Sequence, residues 1–265
     1  MTCSRSGSRT APTAISANSA AKPEILMLNK IDDRCSKTSS TCNHIISTIL
    51  ILVCIGTLHA ADPEHVLKSP DGNVIVEFDL KDAVEQRGCP AYAVKYNGRL
   101  VIADSNLGLT IKDAAPLQAG FEIVEVSRTS HDSTYSPVYG ERKTIRDNYN
   151  QLVAELKEIN PPHRRLQLTF RAYNEGAAFC YTLPQQDTPA PGAVQGTLKN
   201  FVISAEKTQF RFTSDHTAYA VYSAQGKYSK VPLSQIKNNC ERPLTIEIDE
   251  GLFASVAEAR LVDYA

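Results

Sequence analysis

Tryptophan is absent from the 265 residues, so any flat aromatic face for stacking on a sugar ring must come from the 11 tyrosines or 8 phenylalanines. An excess of either charge is also missing. Lys+Arg 28 against Asp+Glu 29 leaves a formal charge of -1, which gives no basic field to hold a phosphate backbone and sets nucleic acid aside as a partner. The chain contains no G-x-S-x-G, H-E-x-x-H or P-loop string, so hydrolase triads, zincins and nucleotide sites have nothing to rest on. Neither a C-x-x-C pair nor a Cys/His cluster at zinc spacing occurs. What remains is 42% hydrophobic and 22% charged, the composition of a globular chain with one large domain or two small ones.

Residues 1–44 are rich in Ser, Thr and Ala and show no helical or strand period, after which residues 45–58 turn abruptly apolar. That run is shorter than the roughly 20 residues needed to cross a bilayer core and reads as the hydrophobic region of a signal peptide. Ala60 and Ala61 follow it, so cleavage before Asp62 obeys the small-residue rule. A start at Met27, with Lys30, Arg34 and Lys37 as the positive region, gives a more ordinary leader and makes residues 1–26 a misassigned start. The expectation is therefore a leader over 1–61 (signal peptide 27–61), a folded domain over 62–265, and export to the periplasm or the medium. An uncleaved membrane anchor is the competing reading. Four of the seven cysteines, Cys3, Cys35, Cys42 and Cys54, go with the leader; Cys89, Cys180 and Cys240 allow one bridge without saying which pair makes it.

From Asp62 onward the pattern is period-2 alternation broken by turn residues, the mark of antiparallel sheet with one buried face. Val74, Val76, Phe78 and Leu80 alternate with Ile75, Glu77 and Asp79. Tyr92, Val94 and Tyr96 run into Asn97-Gly98, a strong hairpin signal because both central residues of a type I′ turn need positive φ. Leu166, Leu168, Phe170 and Ala172 lead through Asn174-Glu175-Gly176 to Phe179, Tyr181 and Leu183, and Leu244, Ile246 and Ile248 lead through Asp249-Glu250-Gly251 to Phe253. Further strands are expected over 108–112, 121–129, 152–159, 201–205, 209–212 and 218–223. Residues 184–196, with three prolines, form the clearest loop and a candidate flap. The class is all-β, and roughly 200 residues of short strands suit one sandwich or barrel.

The densest polar cluster runs over residues 137–150 and offers Tyr139, Glu141, Arg146 and Tyr149 as candidate carbohydrate-binding groups, since tyrosine faces stack on sugars while carboxylate and guanidinium hydrogen-bond their hydroxyls. The bland alternative is that Glu141 and Asp147 pair with Arg142 and Arg146 across a hairpin. His216 beside Asp215 and Glu175 within Asn174-Glu175-Gly176 read as turns, and Glu258 as the polar face of a strand. No catalytic residue and no metal ligand is assigned.

Several strings, taken together and in order, resemble one family: Ser69-Pro70-Asp71-Gly72, Pro137-Val138-Tyr139-Gly140-Glu141, residues 170–179 (Phe-Arg-Ala-Tyr-Asn-Glu-Gly-Ala-Ala-Phe), Pro232-Leu233-Ser234, and residues 258–265 (Glu-Ala-Arg-Leu-Val-Asp-Tyr-Ala). They are similar to the amino-terminal domain of glycoside hydrolase family 97. The resemblance implies a β-supersandwich of the galactose-mutarotase-like type, followed in full-length members by a (β/α)8 catalytic barrel and a small β domain. It further implies exported, calcium-dependent α-glucosidases and α-galactosidases whose catalytic carboxylates lie on the barrel, so this chain is expected to have no turnover of its own. The family's amino-terminal domain supplies a glutamate to calcium from just before Pro-Leu-Ser; here Gln225 or Ser229 stands in that place beside Lys227 and Lys230, so no cofactor is expected for this chain. Cys180 stands where an arginine is expected. The partners implied are an α-glucoside or α-galactoside and a catalytic barrel. A stand-alone carbohydrate-binding β-sandwich is the alternative, and a sugar epimerase is disfavoured because His65, His131, His163 and His216 lack a recognisable setting.

Overall fold

A computed structural model of the chain describes residues 14–16, 24–30, 65–186 and 200–258. The strands in order are β1 (Ala14–Ser16), β2 (Glu24–Lys30), β3 (Val66–Lys68), β4 (Val74–Lys81), β5 (Cys89–Tyr96) and β6 (Arg99–Asn106). Next come β7 (Leu109–Ile111), β8 (Phe121–Tyr135), β9 (Ile145–Glu158), β10 (Arg165–Tyr173), β11 (Gly176–Thr182) and β12 (Asn200–Glu206). The last five are β13 (Arg211–Phe212), β14 (Thr217–Ala220), β15 (Ser229–Pro232), β16 (Leu244–Asp249) and β17 (Leu252–Glu258). Among the described residues the only helical turn is a 3-10 segment, Leu233–Gln235.

The strands form a nine-stranded sheet in the order β15-β14-β16-β17-β2-β11-β10-β9-β8, a five-stranded sheet β13-β6-β5-β4-β3, and a small sheet β1-β12-β7. Neighbours pair antiparallel throughout. This is the all-β sandwich that the alternation predicts. Val74, Val76 and Phe78 are almost wholly buried while Asp79 stays outside, and the β5–β6 turn has Asn97 at φ 49° and Gly98 at φ 76°, as a type I′ hairpin requires.

The core lies where the two larger sheets face each other. Phe78 of β4 approaches Phe170 of β10 with ring centroids 5.2 Å apart, and Tyr92 of β5 approaches Phe179 of β11 at 5.0 Å. Phe170 is 1% exposed, and burying a side chain of this size stabilises by about 1.5–3 kcal/mol. The Tyr92 hydroxyl leaves the apolar layer to donate to the Gln209 carbonyl (2.8 Å), which removes the cost of its burial.

The turn from β9 to β10 is locked by a buried ion pair. Arg164 is 2% exposed; its guanidinium donates to both Glu158 oxygens (2.8 and 2.5 Å) and to the Ala115 carbonyl (2.7 Å). Gly88, at φ 61°, lies so close to β8 that an added Cβ would sit 2.3 Å from the Phe121 carbonyl oxygen. Only glycine fits there.

Two strands come from the stretch that the sequence reading set apart as leader, 1–61. The backbone of β1 pairs with β12, and that of β2 pairs with β11 on one side and β17 on the other. The signal-peptide run 45–58 and the cleavage point before Asp62 lie outside the described residues. So does most of the candidate flap 184–196, although Gln186 at its start accepts from the Arg165 N–H (2.7 Å) and donates to the Arg165 carbonyl (3.0 Å), imitating one residue of a further strand. β3 and β15 were not expected; both are short and polar at their exposed positions. Among the described residues no disulfide joins Cys89, Cys180 or Cys240 to one another.

Candidate functional site

The hairpin of β8 and β9 carries the polar cluster and has two different halves. Near its base, Leu152, Ala154 and Leu156 alternate into the core. Beyond them β8 is exposed at every residue from Ser127 to Tyr135, yet the ladder continues without interruption to Tyr135 opposite Ile145. Beyond Tyr149, where the pairing of β9 with β10 ends, only two strands remain, and such a ribbon depends on cross-strand side-chain pairs.

One such link is bidentate. Arg146 donates from Nε and Nη2 to the two oxygens of Asp132, each at 2.7 Å, which holds the Asp132 carboxyl below the ordinary carboxylate range and lifts the Arg146 guanidinium in turn. The other links are neutral or half-charged: Ser130 Oγ donates to Asn150 Oδ1 (2.7 Å), and His131 lies 3.5 Å from Asp147 while touching Ser133 Oγ at 2.8 Å.

Three strands then place a ring row at one level. His131, Tyr149 and Tyr173 are direct partners across β8, β9 and β10. The His131 ring stacks on Tyr149 with centroids 5.0 Å apart, Tyr173 lies 5.1 Å away, and the Arg171 guanidinium sits 4.3 Å over the Tyr149 ring. Burial, the largest influence, pushes the Tyr173 hydroxyl up.

The four sequence candidates therefore separate. Tyr139, 89% exposed, and Glu141 lie in the loop at the tip with Val138, which is fully exposed. Arg146 lies on the outer ribbon, committed to Asp132. Tyr149 is 8% exposed, its ring flanked by His131, Tyr173 and Arg171. The bland alternative paired Glu141 and Asp147 with Arg142 and Arg146; in the structure Arg146 takes Asp132 instead, and Asp147 lies against His131. Sequence reasoning missed His131, Asp132, Arg171 and Tyr173 because their relation is one of register between strands, and the polar ribbon carries no alternation to reveal it.

Beside the arm, Val66, Lys68, Arg128, Ser130, Asn150 and Gln151 line an open groove of about 350 Å³. Its floor is braced by Asn150 Nδ2 donating to the Lys68 carbonyl (2.9 Å). Next to it two of the recognised strings meet: the Asp71 N–H of Ser-Pro-Asp-Gly donates to Asn174 Oδ1 of the β10–β11 turn (3.1 Å).

At the far edge of the nine-stranded sheet, Asp215 accepts from the Ser234 hydroxyl (2.7 Å) and the Ser234 N–H (2.8 Å), and these two bonds lower its pKa. This ties the Asp-His turn to Pro-Leu-Ser. Gln225 and Ser229 are exposed nearby, and Lys230 reaches Glu247 at 2.9 Å. Among the described residues no three His, Cys, Asp or Glu side chains converge as metal ligands. Neutral oxygens flanked by Lys227 and Lys230 would hold a hard dication such as calcium less strongly than a carboxylate in the same place. Glu258 is not on an open polar face: its side chain is 6% exposed and accepts from Arg242 (2.5 Å).

Comparison with known proteins completes the site. Residues 67–265 match the family model described as glycosyl-hydrolase 97 N-terminal. Among solved structures, a glycoside hydrolase family 97 enzyme from Pseudoalteromonas sp. strain K8, in complex with panose and in complex with acarbose, is 27% identical with a TM-score of 0.63. The match covers 76% of this chain but only 29% of that one. A β-arabinopyranosidase is 19% identical with a TM-score of 0.57, covering 74% of this chain and 36% of its own, and shares the fold.

Proposed function

Because the chain belongs to the glycosyl-hydrolase 97 N-terminal family, we propose that it acts as the non-catalytic amino-terminal domain of an exported α-glycosidase, packing on a (β/α)8 barrel and shaping the sugar pocket with its β8–β9 arm. The carrying observation is one of extent: the sandwich spans 29% of the length of the family 97 enzyme it matches. Hydrolysis of a glycosidic bond calls for two carboxyl groups facing each other across the sugar. On the arm, Asp132 is committed to Arg146, and Asp147 lies against His131. The arm's chemistry is that of contact: hydroxyls, amides and an apolar tip, Val138 and Tyr139, with nothing of its own to bury against. Calcium is given no part in this reading, since no carboxylate stands among residues 222–231 to offset the charge of Lys227 and Lys230.

The test is a graft. Residues 24–265, which keep β2, replace the matching part of the Pseudoalteromonas enzyme, and panose turnover is measured. The chimera is expected to turn over, and replacing residues 136–142 by a Gly-Ser loop is expected to lower kcat/KM at least ~10-fold by loosening the bound sugar. A chain that releases glucose from panose unaided overturns the non-catalytic reading, and a chimera indifferent to the loop overturns the part given to the arm.

A second reading rests on Tyr139, an exposed ring at the arm's tip, and makes the chain a stand-alone carbohydrate-binding protein. Calorimetry with maltooligosaccharides and galactosides decides it, with no heat at millimolar sugar as the losing result.

A further inference from the structure

The nine-stranded sheet is continuous only through β2. On one side residues 176–179 of β11 pair with Met27, Leu26, Ile25 and Glu24; on the other, the full length of β17 from Leu252 to Glu258 pairs with Lys30 back to Glu24. Strands in a sheet lie about 4.8 Å apart, so without β2 two strand edges would face each other across a gap one strand wide. Both edges belong to the core. Ala177, Ala178 and Phe179 are consecutive and all buried, as in a strand covered on both faces, and Leu252 and Ala254 are buried opposite. Unpaired N–H and C=O groups beside such residues cost far more than those at an outer edge in water.

The sequence of the occupant suits that place. Ile25-Leu26-Met27-Leu28 is an unbroken apolar run between Glu24 and Asn29-Lys30, the pattern of a strand inside a sheet, whereas the segments around it are polar. Its position also cuts across both boundaries read from the sequence. A start at Met27 would remove the residues that pair with Ala177, Ala178 and Phe179, and cleavage before Asp62 would sever the whole strand from the domain.

We propose that the slot between β11 and β17 is a strand-acceptor site and that Glu24–Lys30 is its occupant in the uncleaved chain begun at Met1, so that loss of the leader opens the nine-stranded sheet into two. The leader then does more than address the protein. While attached it is a structural strand, and its removal exposes two parallel edges that a further strand can join by β-augmentation.

The experiment is hydrogen exchange with mass spectrometry on the full chain. Amides of residues 24–30 are expected to exchange at least ~100-fold more slowly than an unstructured peptide, together with those of 176–179 and 252–258. Successive residues of a strand direct their N–H groups to opposite neighbours, so Leu26→Pro and Met27→Pro remove bonds to different partners. One is expected to speed exchange selectively in 176–179 and the other in 252–258. Should either variant fail to fold, the wild-type sequence carrying a specific protease site at residue 40 is nicked and run under native conditions. Retention of the leader peptide supports the proposal. Release of the peptide with 176–179 and 252–258 still protected, or free exchange of 24–30 in the intact chain, overturns it.

Discussion

The β8–β9 hairpin is one ladder with two energetic regimes, and comparing its root with its arm shows what holds each. The root is a sandwich strand pair. Phe121, Leu152, Ala154 and Leu156 are buried, and the strand ends at Glu158, clamped by Arg164. Past a register shift between Ile123 and Glu125 the ladder runs on into the arm, which leaves the core and trades apolar burial for Arg146–Asp132, Ser130–Asn150 and the ring row on Tyr149. The root is therefore specified by buried area and sterics, and the arm by side-chain pairs each worth a fraction of a kcal/mol to about one. The chemistry available to a ligand sits on the weaker half, as is usual for segments that make contact.

The sharpest way to break the comparison is to attack the clamp. Arg164→Ala is expected to cost about 3–5 kcal/mol in urea unfolding, because it leaves the Glu158 carboxylate buried with its charge unpaired and the Ala115 carbonyl without its donor. A loss below about 1 kcal/mol would mean that the root is not held from this end. On the facing strand at the same end, where Phe121 pairs with Glu158, Gly88→Ala should cost more than ~2 kcal/mol, since the methyl meets the Phe121 carbonyl and the backbone has positive φ. Both changes should lower the global transition and leave no intermediate in which only the arm has melted.

These outcomes bear on what could be read in advance. The root was legible: its period-2 burial follows from one wet and one dry face, and residues 121–129 and 152–159 were expected as strands. The arm was not, and both strands run further than the alternation does, to Tyr135 and from Ile145. Every residue of β8 from Ser127 to Tyr135 is exposed, so nothing there selects a period. Tyr149 was singled out as a ring for a sugar to stack on, yet it is 8% exposed, and its burial depends on His131 and Tyr173 arriving from neighbouring strands, which only register decides. The same limit applies to β2: an isolated apolar run far from its partners carries no sign of the strands β11 and β17 that it pairs with.

Substitutions along the arm should have graded effects. Tyr149→Ala removes the stacking and cation–π contacts of the row and is expected to cost about 2 kcal/mol, with faster amide exchange confined to residues 127–135 and 145–151. Exchange that instead rises in the root would show the two halves to be one cooperative unit. At the tip, Tyr139→Ser should leave the unfolding midpoint unchanged within about 0.5 kcal/mol while weakening any sugar or barrel contact.

The smallest effect is the most diagnostic, because it tests the arm through charge alone. Asp132 has its pKa lowered from 3.8, chiefly by the hydrogen bonds from Arg146. A carboxyl whose folded pKa lies below its unfolded one holds fewer protons in the folded state between the two values, so unfolding takes up a proton there. Its contribution to stability is therefore complete above the unfolded pKa of about 3.9 and disappears as pH falls through the folded value. In NMR titration the Asp132 carboxyl carbon should move with a midpoint below 3.8, and in Arg146→Ala the midpoint should return toward 3.8 while Asp215, held by Ser234 on the far edge of the sheet, keeps its own lowered value. Exposed as the pair is, the variant's thermal midpoint at neutral pH should match that of the unmodified chain. Identical Asp132 titrations in the two proteins would mean that the ribbon's outer end is held by backbone pairing alone, and the distinction between a root fixed by burial and an arm fixed by side-chain pairs would lose its outer half.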